Sequence, residues 1–159
     1  MRFRWIASAS SDGVVKPKCA GTACSRLVLG PRLSSLRAAA DIAAMSDDDF
    51  NDYSSDLLAS PLRCRSLNSL IRRSDLKVVG NDVSLSAVSD YLEPCFGRCK
   101  KVGASVVVWG SAGSRNVPEG FSRDRAWEQI ATYLHMAGEL AKRHDLTVAI
   151  EQLRHQESN

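Results

Sequence analysis

Two short apolar runs constrain this chain more than any other feature. "ASVVVWG" covers residues 104–110 and "LTVAIEQL" covers residues 146–153. Each is apolar at consecutive positions rather than alternate ones, which is the pattern of a strand buried on both faces, as in parallel sheets. Between them lies one long helical pattern. Ser122 stands at the N-cap, Asp124 in the first turn, and Trp127, Ile130, Ala131, Leu134, Ala137 and Ala141 recur at helical spacing. Lys142, Arg143 and His144 close the pattern with positive charge, as the helix dipole prefers. A strand, a helix and a second strand of this kind imply parallel strands joined by a right-handed crossover.

The same order precedes that unit. Ser46 is an N-cap for "DDDF", with Phe50, Tyr53 and Leu57 on one face and Pro61 as the stop. "LRCRSLNSLI" reads as a strand, and residues 71–83 as a loop. A helix follows, with Leu85, Val88, Leu92, Cys95, Cys99 and Val102 as its buried stripe, Pro94 inside it and Gly103 at its left-handed end. The spacing predicts helices near 46–58, 84–101 and 123–143 and parallel strands near 62–70, 104–109 and 146–150. In such α/β architectures ligands bind beyond the carboxyl ends of the strands.

Charge divides the chain. The net charge is +3, yet residues 1–44 hold seven Lys or Arg and two acids, which is +5, while residues 45–159 hold 14 and 16, which is −2. The body therefore lacks the basic patch that nucleic-acid binding needs. No run reaches the roughly 18 apolar residues of a membrane span. Residues 1–44 are rich in Arg, Ser and Ala and poor in acids, the composition of an organelle transit peptide or of an unrelated leader. The protein is expected in the cytoplasm, or in a plastid or mitochondrion if that leader is a transit peptide. The five cysteines show no C-x2-C pair and read as reduced thiols packed as small hydrophobes.

At the mouth of the second strand, Gly110 and Gly113 let the backbone turn, and Ser111, Ser114, Arg115 and Asn116 supply donors. A tight loop without a ligand fits the same residues. Glu151 follows the apolar "TVAI" directly, and a carboxylate there must be solvated, paired with Arg154 or another base, or bound to a metal. With His155 and Glu157 close behind, the strand end has the groups to hold a divalent cation or move protons.

"VVVWGSAGSRNVPEGFSRDRAWEQIATYLHMAGELAKRHDLTVAIEQLRHQESN" closely resembles the sugar phosphate isomerase/epimerase members of the xylose-isomerase-like TIM-barrel superfamily. "LKVVGNDVSLSAVSDYLEPCFGRCKKVGA" and "SDDDF" match more loosely, so the resemblance covers about residues 45–159. It implies a partial (β/α)8 barrel that stops after about the fifth strand, preceded by the leader. It implies Glu151 as metal ligand and acid/base, and Glu157 in contact with substrate near the metal. Arg115, Ser111 and His155 join them on the substrate side. The reaction implied is proton transfer on a ketose or polyol, free or phosphorylated, beside Mn, Mg or Zn.

Two features depart from that pattern. Gln152, Arg154 and His155 stand where the superfamily commonly reads "EPLNR", and its later Asp, His and Glu ligands have no counterpart. The chain alone is accordingly expected to be inactive, and its open strand edges to favour self-association. A metal-dependent DNA-repair fold of the endonuclease IV type and a non-catalytic half-barrel are the alternatives.

Overall fold

The computed structural model describes residues 38–61 and 63–159. Residues 1–37, with most of the basic leader, lie outside the described residues, as does any expectation about their packing. The elements run α1 (Ala39–Ala43), α2 (Asp47–Ala59), β1 (Ser66–Leu67), α3 (Leu85–Lys101), β2 (Val106–Trp109), α4 (Ala112–Arg115), α5 (Arg123–Arg143) and β3 (Thr147–Ile150). No helix among the described residues is long and apolar enough to cross a membrane.

The helices begin and end where local chemistry requires. Ser46, Ser84 and Ser122 each accept a hydrogen bond from the backbone N–H three residues on, which satisfies one orphan donor of α2, α3 and α5. Helix α3 ends in a Schellman motif: Gly103 N–H donates to Lys100 O and Ala104 N–H to Cys99 O, with Gly103 at φ +88°. Helix α5 ends the same way, but Asp145 takes the left-handed position at φ +51°. Pro94 lies within α3, which continues to Lys101.

The three strands form one parallel sheet in the order β1-β2-β3. Val107 pairs with Val148 and Trp109 with Ile150, so these four share one sheet face, on the core side. Helices α3 and α5, each crossing between neighbouring parallel strands, pack against each other. Val88, Leu92, Cys95, Phe96 and Cys99 of α3 meet Val107, Trp109, Tyr133, Ala137 and Ala141 in a single core.

The expected partial (β/α)8 barrel is not formed. The described residues hold three strands in one open sheet, fewer than the five that expectation required. Among the described residues, those upstream of β1 make helices, and the one strand between α2 and α3 is β1 itself. Strand β1 is also far shorter than 62–70 because its backbone is claimed elsewhere. Asn68 O and Ser69 O accept from Ala39 N–H and Ala40 N–H, Leu70 O accepts from the Tyr91 hydroxyl, and Ile71 N–H donates to Ser111 Oγ. Each of these takes a group that a longer ladder would need.

Two further readings change. Residues 38–44, placed with the leader on composition, pack into the core through fully buried Ala39 and Ile42. Arg98 holds them there, donating to Ile42 O, Ala43 O and Met45 O at the end of α1 and pairing with Asp47 at 2.7 Å. On α5 the buried ridge is Ala126, Tyr133, Ala137, Leu140 and Ala141, whereas Trp127 is 69% exposed and Ala131 is exposed. Two helical stripes overlap on that helix, and periodicity does not say which one meets the sheet.

Candidate functional site

A cleft of about 560 Å³ opens beyond the carboxyl ends of β2 and β3. Its floor is Trp109, Ile150 and Glu151, and one wall is the α5 stripe of Arg123, Trp127, Ile130 and Leu134. Arg115 and Val117 lie at the α4 side, and Gln152, Leu153, His155, Ser158 and Asn159 close the remaining side. A smaller hollow of about 280 Å³ lies at the opposite, amino end of the strands, among Leu57, Leu58, Arg63 and Gly103. That hollow has no carboxylate in its lining, whereas the larger cleft is lined by Glu151.

Glu151 is placed by the ladder and by an absence. Its N–H donates to Trp109 O at 3.1 Å, which extends the β2–β3 pairing by one residue. Its side chain lies over Gly110, where an added Cβ would collide with Oε2 and stand 2.9 Å from Cδ. Only glycine leaves that space, so "WG" is the complement of "IE" on the neighbouring strand.

Arg115 then fixes the same residue from the other side. Its guanidinium donates to Glu151 O at 2.9 Å and stacks over the Trp109 ring at 5.2 Å. Burial lowers the Arg115 pKa, while the charges of Glu151 and Tyr133 oppose that shift. Trp109 is itself held, because its indole N–H donates to the buried Ser114 hydroxyl, which donates in turn to Ser111 O at 2.8 Å. Tyr133 packs on the far side of Trp109 with ring centroids 4.5 Å apart. Its buried hydroxyl has no hydrogen-bond partner among the described residues, and burial drives its pKa upward.

The chain after β3 folds back over the cleft. Asn159 exchanges two hydrogen bonds with the backbone of Val117, at 2.8 and 2.9 Å, and Ser158 donates to Asn116 at 2.8 Å. Inside that return, Glu157 accepts from the backbone and the guanidinium of Arg154, both at 3.1 Å. The Arg154 hydrogen bonds hold the Glu157 carboxylate below the usual range. Arg154 is therefore committed to Glu157, and the alternative ion pair of Arg154 with Glu151 is not formed.

Of the residues singled out in the sequence, Glu151, Arg115 and His155 line one cleft. Glu157 serves the turn and does not line the cleft. Ser111 accepts from Ile71 N–H at 3.0 Å and holds the β1–α3 loop rather than facing the cleft. Periodicity placed Trp127 in the core and passed over Arg123, although the spacing 123, 127, 130, 134 was visible as one helix face.

A metal fits poorly with what is present. Glu151 is the one acidic side chain in the cleft lining, and no group of three or more His, Cys, Asp or Glu among the described residues could hold a metal ion. No family model, no curated protein and no solved structure matches this chain.

Proposed function

We propose that the cleft binds a small polyhydroxylated carbonyl compound, a ketose or its phosphate, in the manner of a sugar isomerase/epimerase, with Glu151 as its proton-handling carboxylate. The resemblance of residues 106–159 to that superfamily motivates the reading, and the placement of Glu151 carries it. A single carboxylate stands at a strand's carboxyl end, its main chain fixed by Arg115, in a cleft of sugar-accommodating volume, about 560 Å³. Gln152, His155 and Asn159 add donors and acceptors to the same cleft for hydroxyl groups.

In this reading Glu151 takes a proton from the carbon beside a bound carbonyl. What the lining lacks is a preorganised partner for the enediolate oxygens, which is usually the larger share of catalysis. Arg115, with one N–H committed to Glu151 O, is a partial substitute. We therefore propose binding without turnover by this chain alone.

Calorimetry with D-fructose and D-ribulose tests the binding, and proton exchange in D2O followed by NMR tests the chemistry. Saturable binding that weakens at least tenfold in Glu151→Gln is expected, with no epimer or aldose formed. Absence of ketose binding overturns the reading. Turnover with added Mn²⁺ that is lost in Glu151→Gln overturns the claim that the chain is incomplete as a catalyst.

A further inference from the structure

Helix α5 presents two faces of different character. Ala126, Tyr133, Ala137, Leu140 and Ala141 are buried against the core. Arg123, Trp127, Ile130 and Leu134 recur at the spacing of a second face, and all four line the cleft. Trp127 is 69% exposed and, with Leu58, is one of two large apolar side chains left in water among the described residues. An indole so placed forgoes the burial that makes Trp the most strongly buried kind of side chain at binding sites.

Arg123 is equally out of place as a structural residue. It opens a 21-residue helix, where a cation opposes the helix dipole. None of the ion pairs among the described residues involves it. It shares the cleft with Arg115, whose burial already disfavours its charge, and with a single carboxylate, Glu151, which lies over Gly110. The lining side chains therefore hold two guanidinium groups against one carboxylate, and an anion bound between the guanidinium groups pairs with both of them.

We propose that Arg123 and Trp127 form a second recognition wall, in which the indole packs on the C–H face of the bound ketose and Arg123 pairs with an anionic substituent that the sugar carries. This rests on the ketose-cleft reading and narrows it to an anionic monosaccharide. One helical turn separates the two side chains, which matches the offset between the C–H face of a sugar and a substituent on its terminal carbon. The anion is a phosphate ester or a carboxylate, and both share the geometry that a guanidinium fork accepts.

The test uses the full chain with D-fructose, D-fructose 6-phosphate and D-glucuronate, followed by calorimetry and by tryptophan fluorescence. At least one anionic sugar is expected to bind tenfold or more tightly than fructose, and the comparison of the two identifies the anion. Arg123→Gln should bring that preference close to one. Trp127→Ala should weaken all three by about three- to tenfold. Both substitutions are at exposed positions, so unchanged thermal unfolding excludes misfolding as the cause. The proposal is overturned if the preference for the anion is absent or survives Arg123→Gln. It is also overturned if Trp127→Ala leaves sugar binding intact and instead abolishes a concentration-dependent dimer, which would make this face a protein contact. If fructose binds and depends on Glu151 while the anionic sugars gain nothing, the ketose-cleft reading stands and this inference alone falls. If none of the three binds, both fall.

Discussion

Replacing Gly110 with alanine moves the Glu151 carboxylate without adding or removing a charge. The new Cβ would collide with Oε2 and lie 2.9 Å from Cδ and 3.2 Å from Cβ of Glu151. Carbon atoms settle at about 3.5–4.0 Å, so the carboxyl carbon must retreat by roughly 0.6–1 Å. The carboxylate end escapes by an altered rotamer at about 0.5–1.5 kcal/mol, and the Glu151 Cβ contact at 3.2 Å by a few tenths of an ångström of give in β3. Gly110 is not among the positive-φ glycines, so alanine also returns about 0.4–1 kcal/mol by restricting the unfolded chain. The two nearly cancel, and stability should change by less than about 1 kcal/mol, a few degrees in Tm. Ligand affinity should fall much further, because a displacement of about 1 Å in a positioned group costs tenfold to a hundredfold. Ketose calorimetry and thermal unfolding on the same preparations read both quantities. Gly113→Ala, where an added Cβ meets nothing within 4 Å, should alter neither. Gly103→Ala, at φ +88°, should cost about 1–2 kcal/mol of stability and spare binding. If Gly110→Ala binds ketose like the parent protein, the carboxylate does not face the ligand. If it loses more than about 3 kcal/mol, the backbone has given way and not the side chain.

Three further outcomes follow from packing and charge. Leu92, fully buried in α3, should lose about 2–5 kcal/mol on Leu92→Ala in urea unfolding, whereas Leu58→Ala at a half-exposed position should change it by less than about 0.5 kcal/mol; equal effects would mean the core is misplaced. Ser46→Ala removes the cap that accepts Asp49 N–H at 3.1 Å and should cost about 1 kcal/mol, so an unchanged unfolding midpoint would show that α2 is held by packing alone. The His144 hydrogen bond, with Arg143 beside it, holds the Glu93 pKa below the usual carboxylate value. A carboxylate with a lowered native pKa contributes stability that is complete above its unfolded pKa of about 4.3 and is lost as pH falls through the native value. Glu93→Gln should therefore flatten the fall in Tm below about pH 4.3, and an unaltered acid limb would show that the contact is not populated in solution.

Much of the fold was legible because its signals are local. The spans of α2, α3 and α5 were read to within a residue or so from capping serines and the glycine at 103, since a cap is a bond between a side chain and a backbone group three residues away, whereas the short α1 and α4 were read as leader and turn. Strand direction was legible as well, because two apolar runs joined by one long helix leave only the parallel arrangement. The strand count was not. Whether "LRCRSLNSLI" pairs along its length depends on what else claims its backbone, and its partners in α1, Tyr91 and Ser111 are 21 to 40 residues away.

The candidate site divides along the same line. By itself the sequence determined that a carboxylate, Glu151, ends an apolar strand and that a glycine–serine turn ends its neighbour, because both follow from patterns within a few residues. Only the tertiary structure decided that Gly110 leaves room for that carboxylate and that Arg115 donates to its carbonyl. It also withdrew Glu157 into a turn with Arg154 and turned Trp127 outward. The physical reason is degeneracy. Glu157 has a partner three residues away as good as any ligand, and α5 carries two apolar stripes of equal period. Choosing between such options takes the free energy of packing against distant elements, which no local pattern encodes.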